Sequence, residues 1–124
     1  ITHYYENDVK LVLASSASMN TINWVFDKFD IGKYFMGKIS GAELEESKPN
    51  PEIFIKAAEI AGEPKENCMV IEDSTNGIIA ANRAEIFCAA YQSEHSKMQD
   101  YHLANILVKE FSDLEVQKVS KFFV

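Results

Sequence analysis

Two adjacent carboxylates, Glu72 and Asp73, follow an apolar run of the sequence and precede a helix-start signal at Ser74. This pattern predicts a buried parallel strand that delivers acidic side chains to the carboxyl edge of a sheet, where open α/β folds bind ligands. Mg²⁺ prefers oxygen ligands and often bridges carboxylates to a phosphate, so the pair is a candidate Mg²⁺ site. A local helix cap formed by Asp73 and Ser74 is the structural alternative.

Two further positions carry groups that suit an anion. Ser15 and Ser16 follow another apolar run and precede a helix, where hydroxyl and N–H groups can hold an anion or simply cap the helix. Lys48 lies between an acidic loop and a proline-marked helix, where it is either a point charge for phosphate or an exposed lysine that balances nearby glutamates. Brought to one sheet edge, these groups would supply phosphate anchoring, charge neutralisation and a metal site, which are the parts that phosphoryl transfer needs.

The apolar periodicity predicts an alternation of strands and helices that would place these groups together. Strands are predicted over 9–14, 36–40, 67–72, 86–91 and 104–108. Helices are predicted over 18–29, 51–61, 74–84 and from 112 or 113 to the C-terminus, with 1–8 as the end of a helix and 93–102 as a polar loop or short helix. In the helix over 18–29, Ile22, Val25, Phe26 and Phe29 form the expected inner face. The order indicates a parallel sheet with helices on both faces.

The composition limits the classes of function. The chain has 124 residues, 47% of them hydrophobic, and a formal net charge of −7, which fits one domain with a core and argues against a nucleic-acid partner. Cys68 and Cys88 lie in apolar runs and are interpreted as small hydrophobes of a reduced, cytoplasmic protein. No apolar run approaches the roughly 20 residues of a membrane span, so we expect no membrane partner.

Three segments resemble motifs of a known family. They are LVLASSAS at 11–18, SKPNPEIF at 47–54 and VIEDSTNG at 70–77. They resemble the second, third and fourth motifs of the haloacid dehalogenase superfamily, in the form found in β-phosphoglucomutase-like phosphatases and mutases. The resemblance spans about 9–114 and implies a three-layer, Rossmann-like α/β core with a parallel sheet.

The resemblance also implies roles for individual residues. The Ser15 hydroxyl would bind the phosphoryl group with help from the Ser16 N–H, and Asn20 would contact the substrate. Lys48 would neutralise charge between the phosphate and the nucleophile. Asp73, together with Glu72, would hold Mg²⁺.

The chain departs from the family pattern in three respects. It contains no Asp-x-Asp, the first motif that carries the nucleophile and the general acid/base, and no helical cap domain. The resemblance therefore implies that 1–124 is a single partial core domain, the C-terminal portion of a longer protein, and inactive alone. The missing central strand would lie between the strands that end at Ser15 and Glu72. Those strands therefore close up, or the missing N-terminal segment or another chain fills the gap, or the chain is ordered only in a particular assembly. Glu85 replaces a helix-ending glycine, which suggests a different helix exit.

These observations predict part of a Mg²⁺-dependent phosphohydrolase that acts on a small phosphorylated metabolite, such as a sugar phosphate, through an aspartyl-phosphate. A phosphomutase is one alternative, and a non-catalytic module that binds anions or a partner through its open sheet edge is another. A receiver-like doubly wound domain is disfavoured, because its acid cluster would lie near the start of the chain and 48–51 would have no role.

Overall fold

In the described part of the chain, the strands form two parallel sheets instead of the single predicted sheet. The computed structural model describes residues 1–93 and 99–123. The strands are β1 (Val12–Ser15), β2 (Gly37–Ser40), β3 (Met69–Glu72), β4 (Phe87–Tyr91) and β5 (Ile106–Val108). β1 pairs with β2, and a second sheet has the order β3-β4-β5. All three pairings are parallel, which confirms the predicted α/β class.

Helices connect the strands in the predicted alternation. They are α1 (Thr2–Glu6), α2 (Met19–Phe29), α3 (Glu52–Ala61), α4 (Thr75–Arg83) and α5 (Val116–Val119). The chain begins in a helix, as predicted, whereas the predicted continuous C-terminal helix is wrong. That segment is the short α5 between two 3-10 turns, Phe111–Leu114 and Ser120–Phe123. Positions 94–98 of the predicted polar loop lie outside the described residues.

Side-chain caps set the starts of α2 and α4. Ser18 accepts a hydrogen bond from the Thr21 N–H, and Ser74 accepts one from the Gly77 N–H. These hydroxyls satisfy N–H groups that have no partner inside the helix. The sequence signals for these two helix starts are therefore confirmed.

One apolar core holds the two sheets together. α3 packs against β1 and β2, α4 packs against β3 and β4, and the two helices contact each other. Ile53 of α3, Ile78 of α4 and Cys88 of β4 are fully buried in a cluster against which Ala14 and Ile39 of the first sheet also pack. The contact between the helices thus fixes the relative position of the sheets without a hydrogen bond between β1 and β3.

The predicted inner face of α2 is only partly correct. Ile22 and Phe26 are buried and Val25 is half-buried, but Phe29 is 61% exposed. α2 packs against β2, a strand of four residues, which is too short to cover the last turn of the helix. Phe29 therefore lies beyond the core that its spacing predicts.

The two cysteines differ in their surroundings. Cys88 is buried, and this burial, with a smaller contribution from the charge of Glu72, raises its pKa to about 12. Cys68 is half-buried, and burial followed by the charges of Glu63 and Glu66 raises its pKa as well. Both side chains are free thiols that stay protonated at neutral pH, in agreement with the interpretation of small hydrophobes.

The C-terminal end of α4 shows that the expected consequence of Glu85 is wrong. Glu85 has φ of 60°, the left-handed conformation that a helix-ending glycine adopts. The N–H of Ile86 donates to the Ala81 carbonyl at 3.1 Å, and the N–H of Glu85 donates to the Asn82 carbonyl at 3.0 Å. The backbone therefore ends the helix in the way that is typical of a C-terminal glycine, although the residue is glutamate.

We expect Glu85→Gly to raise the free energy of unfolding by roughly 0.5–1 kcal/mol. A side chain in the left-handed region costs about 1–2 kcal/mol, part of which is offset by the greater freedom of glycine in the unfolded chain. The lost ion pair to Lys65 is exposed and contributes little. Urea unfolding measures the change, with Glu85→Ala as the control that removes the ion pair and keeps the backbone strain. Equal stability of the two variants would contradict the prediction.

Candidate active site

A cleft opens between the facing edges of β1 and β3. Within the described parts of the chain, β1 pairs only with β2 and β3 only with β4, so neither strand has a partner on the side that faces the cleft. The cleft has a volume of about 630 Å³. Its apolar lining comes from Leu13, Ala14 and Ile71, and its polar lining from Ser15, Ser16, Lys48, Glu72, Ser74, Thr75, Asn76 and Gln99. The two strands have therefore not closed up.

The structure brings most of the predicted site residues to this cleft. Ser15, Ser16, Lys48 and Glu72 all line it. Asp73 is exposed and follows Glu72 directly at the end of β3. Asn20, by contrast, is exposed in the first turn of α2 and is not among the lining residues. These placements rest on β1 and β3 ending at the same cleft, with Lys48 of the loop before α3 in contact with both strands.

Lys48 forms an ion pair that joins the two sides of the cleft. Its Nζ lies 2.9 Å from Glu72 Oε2 and also donates to the Ala14 carbonyl at 3.4 Å. Both charged side chains are only 11% exposed, so water screens the pair weakly. The alternative of an exposed lysine that balances the glutamates of its own loop is therefore wrong. Removal of either partner would leave a poorly solvated charge.

The other oxygen of Glu72 organises the turn that follows β3. Oε1 accepts hydrogen bonds from the Asp73 N–H at 3.1 Å, the Ser74 N–H at 3.3 Å and the Ser74 hydroxyl at 3.1 Å. With Lys48 on Oε2, the carboxylate has four donors. Glu72 thus fixes both the lysine and the backbone from which the Asp73 side chain extends.

Gly77 leaves the space that the Glu72 side chain occupies. A Cβ atom on Gly77 would stand 2.0 Å from Cδ and 2.1 Å from Oε2 of Glu72, which is far inside van der Waals contact. Only glycine in the first turn of α4 allows the carboxylate to lie over that turn. The sequence contains Gly77 within the VIEDSTNG motif, but its role depends on a contact that spacing alone does not reveal.

The turn after β1 is held by serine hydroxyls. Ser15 Oγ accepts from the Ala17 N–H at 3.1 Å, and the buried Ser40 hydroxyl of β2 donates to the Ala17 carbonyl. Because a hydroxyl donates one proton in addition to accepting, Ser15 can accept from Ala17 and still donate to an anion in the cleft. Ser40 is a positioning residue that the sequence analysis missed, since a buried serine at a strand end gives no distinctive pattern.

The carboxylates suit Mg²⁺ in type. Among the residues described, no three His, Cys, Asp or Glu side chains gather in a group that could hold a metal ion. Mg²⁺ is often held by only one or two carboxylates, with waters and phosphate oxygens completing its shell, so Asp73 fits that donor set, whereas four hydrogen bonds occupy the acceptor sites of Glu72. Asp73 is exposed, whereas the oxygens of Glu72 are directed to Lys48 and Ser74.

Comparison with known proteins decides the family. Residues 3–85 match the family model described as haloacid dehalogenase-like hydrolase. The chain belongs to this family. The match contains all three motifs on which the resemblance was based.

Individual relatives cover the chain more completely than the chain covers them. It is 26% identical over 115 residues to the chloroplastic 5-amino-6-(5-phospho-D-ribitylamino)uracil phosphatase of Arabidopsis thaliana, which covers 93% of this chain and 31% of that protein. It is 26% identical over 110 residues to phosphoglycolate phosphatase 1 of Pseudomonas aeruginosa, with 87% and 40% covered. The chain thus spans less than half the length of these two curated relatives.

A solved structure supports the fold. The crystal structure of β-phosphoglucomutase from Clostridium difficile superposes with a TM-score of 0.80 at 27% identity, covering 98% of this chain and 52% of that one. The expected Rossmann-like haloacid dehalogenase core is therefore confirmed. Among the described residues, no helix has both the length and the apolar character needed to cross a membrane.

We expect Gly77→Ala to destabilise this haloacid dehalogenase-like chain by about 1–3 kcal/mol, because the new methyl group displaces the Glu72 carboxylate. Gly32→Ala is the matched control, since its Cβ would meet only a Phe26 ring carbon at 3.6 Å. Its stability should stay within about 0.5 kcal/mol of the parent. Urea unfolding of both variants checks the prediction, and equal losses would contradict it.

Proposed function

We propose that the complete protein carrying this chain is a Mg²⁺-dependent phosphohydrolase that forms an aspartyl-phosphate on an aspartate outside these 124 residues. The Lys48–Glu72 pair carries the proposal, because it holds a cation in the cleft that Ser15 also lines. Phosphoryl transfer is catalysed mainly by positioning and electrostatic stabilisation, which is what these groups can supply.

Each residue has a defined part in the proposed reaction. Ser15 donates its hydroxyl proton to a phosphoryl oxygen, assisted by the Ser16 N–H. Lys48 offsets negative charge between the phosphate and the attacking carboxylate, and Glu72 keeps the ammonium group in place. Asp73, with Glu72, would hold Mg²⁺, which supplies positive charge to the phosphate oxygens when bound. Asn20 keeps its proposed contact with substrate, although it lies outside the cleft lining described above.

The gap between the sheets is the proposed place of the missing nucleophile. Ile71 of β3 is 40% exposed, and its side chain lines the cleft with Leu13 of β1. A strand inserted parallel to β1 and β3 would satisfy both open edges and end beside Ser15 and Lys48. We propose that a segment N-terminal to this chain in the complete protein forms that strand. Insertion of another chain is the competing outcome.

The proposed substrate is a small phosphorylated metabolite such as a sugar phosphate. The two relatives named above are phosphatases whose names specify small phosphorylated compounds. A phosphomutase remains the second candidate, favoured by the similarity to the β-phosphoglucomutase structure. The net charge of −7 disfavours nucleic acid as a partner, and the cytoplasm remains the proposed location.

The activity test uses the complete protein and a panel of small phosphomonoesters. We expect phosphate release that requires Mg²⁺ and is abolished by EDTA. Lys48→Met should lower kcat/KM at least about 100-fold, because it removes charge stabilisation at the reacting phosphate. Ser15→Ala should lower it roughly 10- to 100-fold, the range expected for one hydrogen bond to a charged group.

Lys56→Met is the matched control for the lysine variant. Lys56 is exposed and pairs with Glu52 on α3, so its removal should leave activity unchanged. Melting temperatures show whether each variant is folded, and Lys48→Arg provides a variant that retains the charge. Full activity of Lys48→Met would contradict the proposal, an isomerised phosphorylated product would favour the phosphomutase, and binding without turnover would favour a non-catalytic module.

A second prediction tests the strand in the gap. In the complete protein, Ile71→Lys should destabilise the fold by about 3 kcal/mol or more, because the inserted strand would bury a charge at this position. Leu107→Lys is the matched control on β5, where the side chain is 50% exposed. Its effect should be within about 0.5 kcal/mol. Equal small effects at both positions would show that nothing covers Ile71.

A further inference from the structure

Gln99 makes a contact to the acidic turn that the proposed mechanism does not use. Its Oε1 accepts hydrogen bonds from the Thr75 N–H at 2.7 Å and from the Thr75 hydroxyl at 2.8 Å. The Thr75 hydroxyl in turn accepts from the Asp100 N–H at 2.9 Å. Three hydrogen bonds therefore tie the segment at 99–100 to the first residue of α4, on the wall of the cleft.

The bond from the Thr75 N–H to Gln99 completes the set of backbone hydrogen bonds in the turn after β3. The N–H groups of Asp73 and Ser74 donate to Glu72, and the N–H of Thr75 donates to Gln99. Three successive backbone N–H groups thus have fixed acceptors, two within the turn and one from outside it. Glu72 thus fixes the start of the turn, and Gln99 fixes its end at Thr75. The position of the Asp73 backbone depends on both residues.

The segment that carries Gln99 is itself fixed to the core. Tyr101 and Leu103 pack against the main apolar cluster. Asn105 exchanges two hydrogen bonds with the backbone of Cys88, its Oδ1 accepting at 2.8 Å and its N–H donating at 2.9 Å. The segment that follows Gln99 is therefore fixed to the core by packing and hydrogen bonds. A residue on such a segment can hold Thr75 in place.

We propose that Gln99 is a positioning residue that fixes the turn 73–75 and thereby sets the place of Asp73 for Mg²⁺. This inference rests on the proposed function, since it concerns the same acidic turn. The essential atom is the acceptor Oε1, because both bonds to Thr75 end on it. Residues that orient metal ligands typically change metal affinity about 10- to 100-fold when they are removed.

The test compares Gln99→Leu, which loses the acceptor, with Gln99→Glu, which keeps an acceptor oxygen in the same place. Calorimetric titration of the complete protein with Mg²⁺ alone, without substrate, measures the metal affinity. We expect Gln99→Leu to bind Mg²⁺ about tenfold more weakly and Gln99→Glu to stay within about threefold of the parent. Hydrogen exchange at the Thr75 amide should accelerate in the leucine variant only.

Lys10→Met is the matched control. Lys10 also makes two hydrogen bonds, to Glu63 and to the Ala61 carbonyl, and none of these three residues lines the cleft. This variant should bind Mg²⁺ like the parent even if its melting temperature falls. Comparable weakening by Lys10→Met would show a general structural effect and overturn the proposal.

The remaining outcomes separate this inference from the proposed function. If the parent protein binds Mg²⁺ and hydrolyses phosphomonoesters while Gln99→Leu binds Mg²⁺ equally well, only the role of Gln99 is refuted. If Gln99→Glu is as weak as Gln99→Leu, the acceptor oxygen is not the essential group and the inference is overturned. If the parent neither binds Mg²⁺ nor hydrolyses any phosphomonoester, the proposed function fails and the inference fails with it.

Discussion

The ion pair between Lys48 and Glu72 is the contact on which the arrangement of the cleft depends. It connects the loop before α3 to the end of β3, and the lysine also reaches the Ala14 carbonyl of β1. A pair that is 11% exposed on each side loses solvation when it forms, so its net contribution to stability is small. The main effect of the pair is on geometry. Because Lys48 and Glu72 are poorly solvated and must stay paired, they fix the loop before α3 relative to the end of β3.

The same pair sets the charge of the candidate site. Glu72 and Asp73 carry two negative charges and Lys48 carries one positive charge, so these three groups together have a net charge of −1. A phosphomonoester, which carries close to two negative charges at neutral pH, would be repelled by that excess, and an aspartate nucleophile would add to it. A divalent cation next to Asp73 would bring these three groups to a net charge of +1, and the site with the nucleophile to zero. The proposed Mg²⁺ requirement thus follows from charge as well as from ligand type.

Local signals in the sequence were sufficient to predict the strands, the helices as far as α4 and several site positions. The cap at Ser74 depends on a neighbour three residues away, so sequence spacing predicts it, whereas the cap of α2 is Ser18 and not Ser15 or Ser16, the two serines considered as caps in the sequence. The convergence of Ser15, Lys48 and Glu72 follows from parallel strands ending at one edge. Gln99 and Ser40 could not be predicted, because each acts on a residue more than 20 positions away through a contact that leaves no periodic pattern.

At two further residues the structure differs from the prediction, because the tertiary surroundings outweigh the local sequence preference. Phe29 has the spacing of a core residue, but the four-residue β2 offers no surface to bury it. Glu85 adopts a backbone conformation that favours glycine, because the turn into β4 is fixed by hydrogen bonds to Ala81 and Asn82. In both cases the length and placement of the neighbouring strand outweigh the intrinsic preference of the residue.

Contacts within this chain hold Lys48, Glu72 and the turn after Ser15 at the cleft. Packing of α3 on α4 fixes the two sheets, Glu72 fixes Lys48, and the Ser15 turn is fixed by Ala17 and Ser40. A strand entering the gap would therefore meet groups that are already in place, and would need to contribute only its own edge and its carboxylate. Such preorganisation is the main source of electrostatic catalysis, since groups that are already oriented need not reorganise as charge develops on the reacting phosphate.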